Sequence, residues 1–87
     1  LAGAAHDGMA RAIDPIHQYT DGDVAFALAT GAHVVADGDE QMAGARFAAL
    51  GALGAAAADA VARAIVHATL AATPAGGLPT YRDAFHP

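Results

Sequence analysis

The fold class is indicated most clearly by an apolar run in the first half of the sequence, Val24-Ala25-Phe26-Ala27-Leu28-Ala29-Thr30-Gly31. Large side chains alternate with alanines at a period of two, so both faces of an extended chain would be apolar. This pattern predicts a strand that is buried on two sides, with an alanine face that a second layer can approach closely. A second short strand is predicted through His33-Val34-Val35, bounded by Gly31 and by Asp37-Gly38.

Helical patterns flank this run. Residues 1–13 place their apolar side chains at helical spacing, and Asp14-Pro15 is predicted to end that helix because proline disfavours the α conformation of the residue before it. A long alanine-rich helix is predicted between about residues 41 and 72, where Thr73-Pro74 follows. Residues 75–87 contain Gly76-Gly77 and the aromatic side chains of Tyr81 and Phe85, and they are predicted to form an extended arm.

Composition and charge exclude several classes of partner. Of the 87 residues, 55% are hydrophobic and only 15% are charged, so a larger protein body is expected around this small chain. The net charge of −5, with four basic residues, argues against nucleic acid. The absence of cysteine favours a cytoplasmic setting. The charge-free stretch 47–58 is shorter than the roughly 20 residues that cross a bilayer, so no membrane partner is predicted.

The triplet Asp21-Gly22-Asp23 lies directly before the apolar run. In an extended chain, residues i and i+2 face the same way, about 6.5–7 Å apart, so the two carboxylates could act on one group. The alternative is that the triplet is only a turn, and composition alone favours that interpretation. The second triplet, Asp37-Gly38-Asp39, is interpreted as a turn and a cap for the long helix.

No metal site or cofactor is predicted. A calcium loop starting at Asp21 would need glycine where Phe26 stands, and one starting at Asp37 would need glutamate where Ala48 stands. The histidines at positions 6, 17 and 33 lack the spacing of known zinc ligands. His6 is instead predicted to be a partly buried structural residue.

Charged residues of the two helices are predicted to pair locally, Asp7 with Arg11 and Asp59 with Arg63, because residues four apart are neighbours on a helix. The chain contains no serine and no cysteine, and all its threonines are internal. A hydrolase that uses this chain must therefore take its nucleophile from one of these threonines or from outside the chain.

Several ordered motifs together resemble one family. They are Ala5-His6-Asp7-Gly8-Met9-Ala10-Arg11-Ala12-Ile13, Pro15-Ile16-His17, Asp21-Gly22-Asp23 and Phe26-Ala27-Leu28-Ala29-Thr30-Gly31, followed by Ala55-Ala56-Ala57-Ala58-Asp59, Arg63-Ala64-Ile65-Val66-His67 and Gly77-Leu78-Pro79-Thr80-Tyr81-Arg82-Asp83. This order resembles the C-terminal (β) subunit of the DmpA-type aminopeptidases, a family that includes β-peptidyl aminopeptidases and nylon-oligomer hydrolases.

The resemblance implies an α+β fold, the αββα sandwich of N-terminal-nucleophile hydrolases. Residues 1–87 would be the C-terminal part of a single hydrolase domain, contributing a helix, one or two strands, the long helix and the C-terminal arm. It also implies a precursor that is cut once, so that a threonine or serine located before Leu1 becomes the N-terminal nucleophile. Amide bonds would then be cleaved through an acyl-enzyme, and this chain alone would be inactive.

By the same resemblance, Asp21 and Asp23 take the place of the family's catalytic acidic pair, which orients the nucleophile and its amine. Aminopeptidase members carry serine and glutamate there, and Asp-Gly-Asp is similar to the nylon-hydrolase branch. Gln18-Tyr19-Thr20 and Val24 depart from the usual pattern. The implied partners are the protein's own upstream (α-subunit) region, further copies in a homo-oligomer, and a peptide or amide substrate. The alternative function is a non-catalytic helical packing or assembly module.

Overall fold

The computed structural model describes residues 1–33 and 43–85. In this part of the chain three helices follow one another: α1 (Ala2–Ala12), α2 (Ala43–Ala71) and α3 (Tyr81–Phe85). Helix α1 packs along α2, and α3 returns to contact α2. The first two helices confirm the predictions made for residues 1–13 and for about residues 41–72.

Helix α1 ends as the Asp14-Pro15 signal predicts. Ile13 has an extended backbone, and its N–H donates to the carbonyl of Met9, which closes the last turn. Arg11 lies in this last turn, where a positive charge interacts favourably with the helix dipole. The chain then leaves the helix in the direction of the loop that contains Asp21 and Asp23.

Small residues allow α1 and α2 to approach closely. Gly8 and Ala58 are buried at the crossing. A Cβ atom at Gly8 would overlap the carbonyl oxygen of Ala58 and would lie 2.8 Å from Cβ of Val61. Only glycine therefore fits at position 8 in this packing. The contact fixes the position of α1 on α2 and, with it, the backbone from which the α1 side chains extend.

The two helices are also joined by an ion pair that local spacing did not predict. Nη1 of Arg11 lies 2.6 Å from Oδ1 of Asp59, and both side chains are exposed. The predicted pairs Asp7–Arg11 and Asp59–Arg63 are wrong, since Arg11 and Asp59 pair with each other across the helix crossing instead. An exposed pair of this kind contributes at most about 1 kcal/mol.

The predicted strand at residues 24–31 is not formed within the described residues. No strand occurs in residues 1–33 and 43–85, where the β contact is an isolated bridge between Ala75 and Leu78. The described part of the chain is mostly helical, so the predicted α+β class is not confirmed. A strand needs a hydrogen-bonded neighbour, and no described segment lies beside this run. Its large side chains are open to solvent: Phe26 is 93% exposed and Leu28 is 91% exposed.

Two further predictions fall on residues that the structure does not describe. The second strand, predicted through His33-Val34-Val35, lies outside the described residues except for His33. The turn and helix cap predicted at Asp37-Gly38-Asp39 lie outside them entirely.

The C-terminal arm is not wholly extended as predicted, because α3 forms at Tyr81–Phe85. Thr80 caps it: its N–H and its hydroxyl both donate to Oδ2 of Asp83, and the N–H of Asp83 donates back to the Thr80 hydroxyl. This is a capping box, with aspartate in the third helical position. The Thr80-x-x-Asp83 spacing was the signal that could have predicted the helix.

The same cap acts on the acidity of Asp83. The hydrogen bond from the Thr80 backbone N–H, and after it the one from the Thr80 hydroxyl, hold the pKa of Asp83 below its ordinary value. A lowered pKa means that the cap stabilises α3 fully at pH values above the ordinary carboxyl pKa. Its contribution is lost as the pH falls through the lower pKa of the folded state.

Helix α2 keeps much of its apolar surface uncovered in the described structure. Phe47, Leu50, Leu53 and Val66 are all exposed. Gly44–Ala71 is long and apolar enough to cross a membrane. Core helices of soluble proteins can have the same length and composition. Asp59 and Arg63 lie in its second half, and charged side chains are costly inside a bilayer. The absence of a membrane partner stays a prediction.

Candidate active site

The candidate site lies in the loop that follows α1. This loop turns back on itself at residues 18–21, where the N–H of Asp21 donates to the carbonyl of Gln18 at 3.1 Å. The turn brings Asp23 beside His17, six residues earlier. The loop thereby places His17 and Asp23 beside each other directly before the apolar run, with His17 against His6 of α1.

A chain of hydrogen bonds connects Asp23 with α1. Nδ1 of His17 lies 2.9 Å from Oδ2 of Asp23, and Nε2 of His17 lies 3.2 Å from Nδ1 of His6. The two imidazole rings are in contact, with their centroids 4.9 Å apart. Asp23 is the more buried partner: its side chain is 20% exposed, against 44% for His17. These hydrogen bonds therefore connect the half-buried carboxylate of Asp23 to helix α1.

The proton positions in this chain follow from the acceptor chemistry of a carboxylate. An ionised carboxylate can only accept hydrogen bonds, so Nδ1 of His17 is the donor to Asp23. When His17 is neutral, its Nε2 is an acceptor, and Nδ1 of His6 must supply the proton of the second bond. The two contacts together fix one tautomer for each neutral ring.

The backbone of His17 adopts a left-handed conformation, with φ of 57°. This conformation is uncommon for residues other than glycine, although asparagine, aspartate and histidine adopt it more often than the rest. It costs an L-residue about 1–2 kcal/mol. The hydrogen bonds at the two ring nitrogens of His17 oppose that cost in the folded protein.

Asp21 has a different environment from Asp23. Its Oδ1 accepts a hydrogen bond from the N–H of Gly22 at 3.0 Å, and its side chain is exposed. Neither aspartate is in a helix. Asp21 therefore accepts a hydrogen bond from the local backbone, whereas Asp23 accepts one from the imidazole of His17. Their predicted joint action on one reacting group stays a prediction.

His6, His17 and Asp23 are joined one after the other by two hydrogen bonds. Within residues 1–33 and 43–85, no group of three or more histidine or acidic side chains is arranged to hold a metal ion. Both ring nitrogens of His17 are used by its neighbours. The two histidines are instead suited to hold the carboxylate of Asp23 in one orientation.

Asp23 retains one oxygen for further chemistry. His17 occupies Oδ2, and no residue in the described part of the chain hydrogen-bonds to Oδ1. A carboxylate with one oxygen held and the other open can accept a hydrogen bond from a hydroxyl or an ammonium group. Asp23 is therefore chemically able to orient a nucleophile presented from outside the described residues.

The hydrogen bonds that the two histidines form were not predicted from the sequence. His6 was predicted to be a structural, partly buried residue, and its partial burial is confirmed. Its contact with His17 was not predicted, because the two residues are 11 positions apart and no known ligand spacing links them. The one available signal was that both residues occur in the motifs that carry the family resemblance.

Comparison with known proteins agrees with that resemblance. Residues 1–81 match peptidase family S58. Uncharacterized aminopeptidases of Mycobacterium bovis and Mycobacterium tuberculosis are each 49% identical to the chain, over 98% of the chain and 25% of the relative. An uncharacterized aminopeptidase of Mycobacterium leprae is 46% identical, over 98% of the chain and 24% of the relative. No solved structure matches the chain.

The chain belongs to peptidase family S58, and the predicted resemblance to the DmpA-type aminopeptidases is thereby confirmed. It spans about a quarter of the length of the curated relatives it matches.

Proposed function

We propose that this chain is part of an autoprocessed N-terminal-nucleophile amidohydrolase or peptidase and supplies the carboxylates that orient the nucleophile. Membership of peptidase family S58 and the aminopeptidase names of the relatives support a peptidase role. The observation that carries the proposal is the half-buried Asp23, held by His17 through Oδ2 and open at Oδ1. A carboxylate that served only in a turn would not need a second side chain to hold it.

The proposed chemistry uses a free α-amino group, whose pKa of about 8 lets it act as a base near neutral pH. The amine takes the proton of its own hydroxyl, and the oxygen attacks the amide carbonyl. The protonated amine then gives a proton to the leaving amine as the C–N bond breaks, which leaves an acyl-enzyme. Water hydrolyses this ester. Asp23, together with Asp21, would accept hydrogen bonds from the amine and the hydroxyl and keep them aligned.

The rest of the catalytic site is proposed to come from the protein's own upstream region. That region would supply a threonine or serine that becomes the N-terminal nucleophile when the precursor is cut, as the family resemblance implies. It would also supply strands beside residues 24–31, completing an αββα sandwich. The exposed Phe26 and Leu28 support this, since such apolar side chains are normally covered. The complete enzyme is proposed to be cytoplasmic and homo-oligomeric.

The alternative is a non-catalytic helical packing module in which Asp21-Gly22-Asp23 is only a turn. One contact favours this alternative: Oδ1 of Asp21 accepts the N–H of Gly22, as turn aspartates commonly do. The contact of Asp23 with His17 has no such local explanation, because it joins residues six apart. The hydrolase is therefore the better-supported function.

Hydrolysis by the complete protein tests the proposal. The purified protein should release p-nitroaniline from aminoacyl p-nitroanilides, or free amine from short linear amide oligomers. Using both substrate types separates cleavage at a chain end from cleavage inside a chain. A folded complete protein that hydrolyses neither type would favour the packing module.

A further inference from the structure

We propose that His17 is a positioning residue for Asp23 and that His6 anchors it to helix α1. This inference rests on the proposed function, because it assigns His17 a role in keeping the catalytic carboxylate oriented. His17 and His6 both lie outside the Asp21-Gly22-Asp23 triplet.

The contact with Asp23 determines which part of the carboxylate is open. Nδ1 of His17 donates to Oδ2 at 2.9 Å, which is a normal length for a charge-assisted bond. This bond restrains rotation of the carboxylate and leaves Oδ1 available. Nδ1 of His17 carries a proton whether the ring is neutral or charged in this arrangement, so the bond does not depend on the charge of His17.

The contact with His6 restrains the ring of His17. His6 lies in α1, two residues before Gly8, where α1 is fixed against Ala58 and Val61 of α2. Nε2 of His17 therefore bonds to a side chain carried by a packed helix rather than by a loop. A histidine whose second nitrogen is engaged is fixed in both tautomer and ring orientation, as in histidines held by an outer partner. The helix pair is thus linked to Asp23 through two imidazoles.

Two substitutions at position 17 separate the contact of His17 with Asp23 from its contact with His6. Glycine in His17→Gly removes the ring and accepts the left-handed backbone without strain. Asparagine in His17→Asn also tolerates that backbone, and its amide nitrogen can replace Nδ1 as the donor to Asp23. Asparagine cannot reach His6 as the imidazole does, so it keeps one bond of the chain and loses the other.

In the complete protein, His17→Gly should lower kcat about 10- to 100-fold, the usual effect of losing an orienting partner, with KM changed less than about twofold. His17→Asn should recover most of that loss, and added imidazole should partly rescue His17→Gly. His6→Ala should have a smaller effect than His17→Gly. Adding His6→Ala to His17→Gly should cause no further loss, because its effect passes through the missing ring.

The outcomes separate this inference from the proposed function. Loss of activity in Asp23→Asn with wild-type kcat in His17→Gly would overturn the positioning role and leave the proposed function standing. Wild-type activity in Asp23→Asn would overturn both. Equal losses in His17→Gly and His17→Asn, without imidazole rescue, would show a structural role only. If the variants fold poorly, nitrogen-15 NMR of the wild-type protein decides: a neutral His17 protonated at Nε2 would contradict the proposal.

Discussion

Replacing Asp23 by asparagine in the complete protein is expected to lower turnover at least about a hundredfold, within the range typical of losing a group that assists proton transfer. Asparagine keeps the shape of the side chain and removes its charge. Its amide cannot stabilise an ammonium group as the carboxylate does, although it can still contact His17. Self-cleavage of the precursor should slow as well, because the same nucleophile would perform it.

The matched control is Asp7→Asn. Asp7 is an exposed residue of α1 and forms no ion pair in the described part of the chain, so the substitution removes one negative charge without touching the hydrogen-bonded chain. Turnover should stay within about twofold of wild type in this control, since surface substitutions away from such features have small effects. Wild-type turnover in Asp23→Asn would mean that Asp21-Gly22-Asp23 is structural.

Replacing Gly8 by alanine is expected to destabilise the protein by about 1–3 kcal/mol, the usual cost of adding atoms to a close-packed contact. The new Cβ would overlap the carbonyl oxygen of Ala58, which belongs to a helix backbone and cannot turn aside. Helices α1 and α2 would have to separate, and His6 would move with α1. Urea unfolding followed by circular dichroism should therefore show a lower midpoint, and kcat should fall as well.

Gly3→Ala provides the control for this substitution in the same helix. A Cβ at Gly3 meets no atom within 4 Å, so alanine adds no clash there. Alanine is favoured over glycine within helices by about 0.5–1 kcal/mol, so Gly3→Ala should be neutral or slightly stabilising. If Gly8→Ala unfolds at the same urea concentration as Gly3→Ala, the close helix crossing at Gly8 is not present in the protein.

Helices α1 and α2 could be predicted because their sequence signals are local. Helical spacing in residues 1–13 and alanine-rich composition in α2 act within a few turns, and Asp14-Pro15 ends α1 close to where it was expected. The short helix α3 was missed although Thr80 and Asp83 carry a capping signal. The predicted strand at residues 24–31 depends on partners distant in sequence, and none lies beside it among the described residues.

The candidate site was predictable only in part for the same reason. The resemblance pointed to Asp21 and Asp23, but the pairing of Asp23 with His17 depends on how the loop turns after α1. The contact of His17 with His6 depends on where that loop returns to the helix. Arg11 and Asp59 show the same limit. The i, i+4 spacing predicted a partner for each residue within its own helix, whereas in the structure the helix crossing brings the two together as an ion pair.

Intact-mass spectrometry of the complete protein, purified without protease, tests the N-terminal-nucleophile assignment most directly. We expect two chains whose masses sum to that of the precursor plus one water, because a single peptide bond is hydrolysed. The product chain that contains residues 1–87 should begin with threonine or serine, and Asp23→Asn should increase the uncut fraction. A purified protein that consists of a single uncut chain and still hydrolyses amide substrates would contradict the proposal of an N-terminal nucleophile.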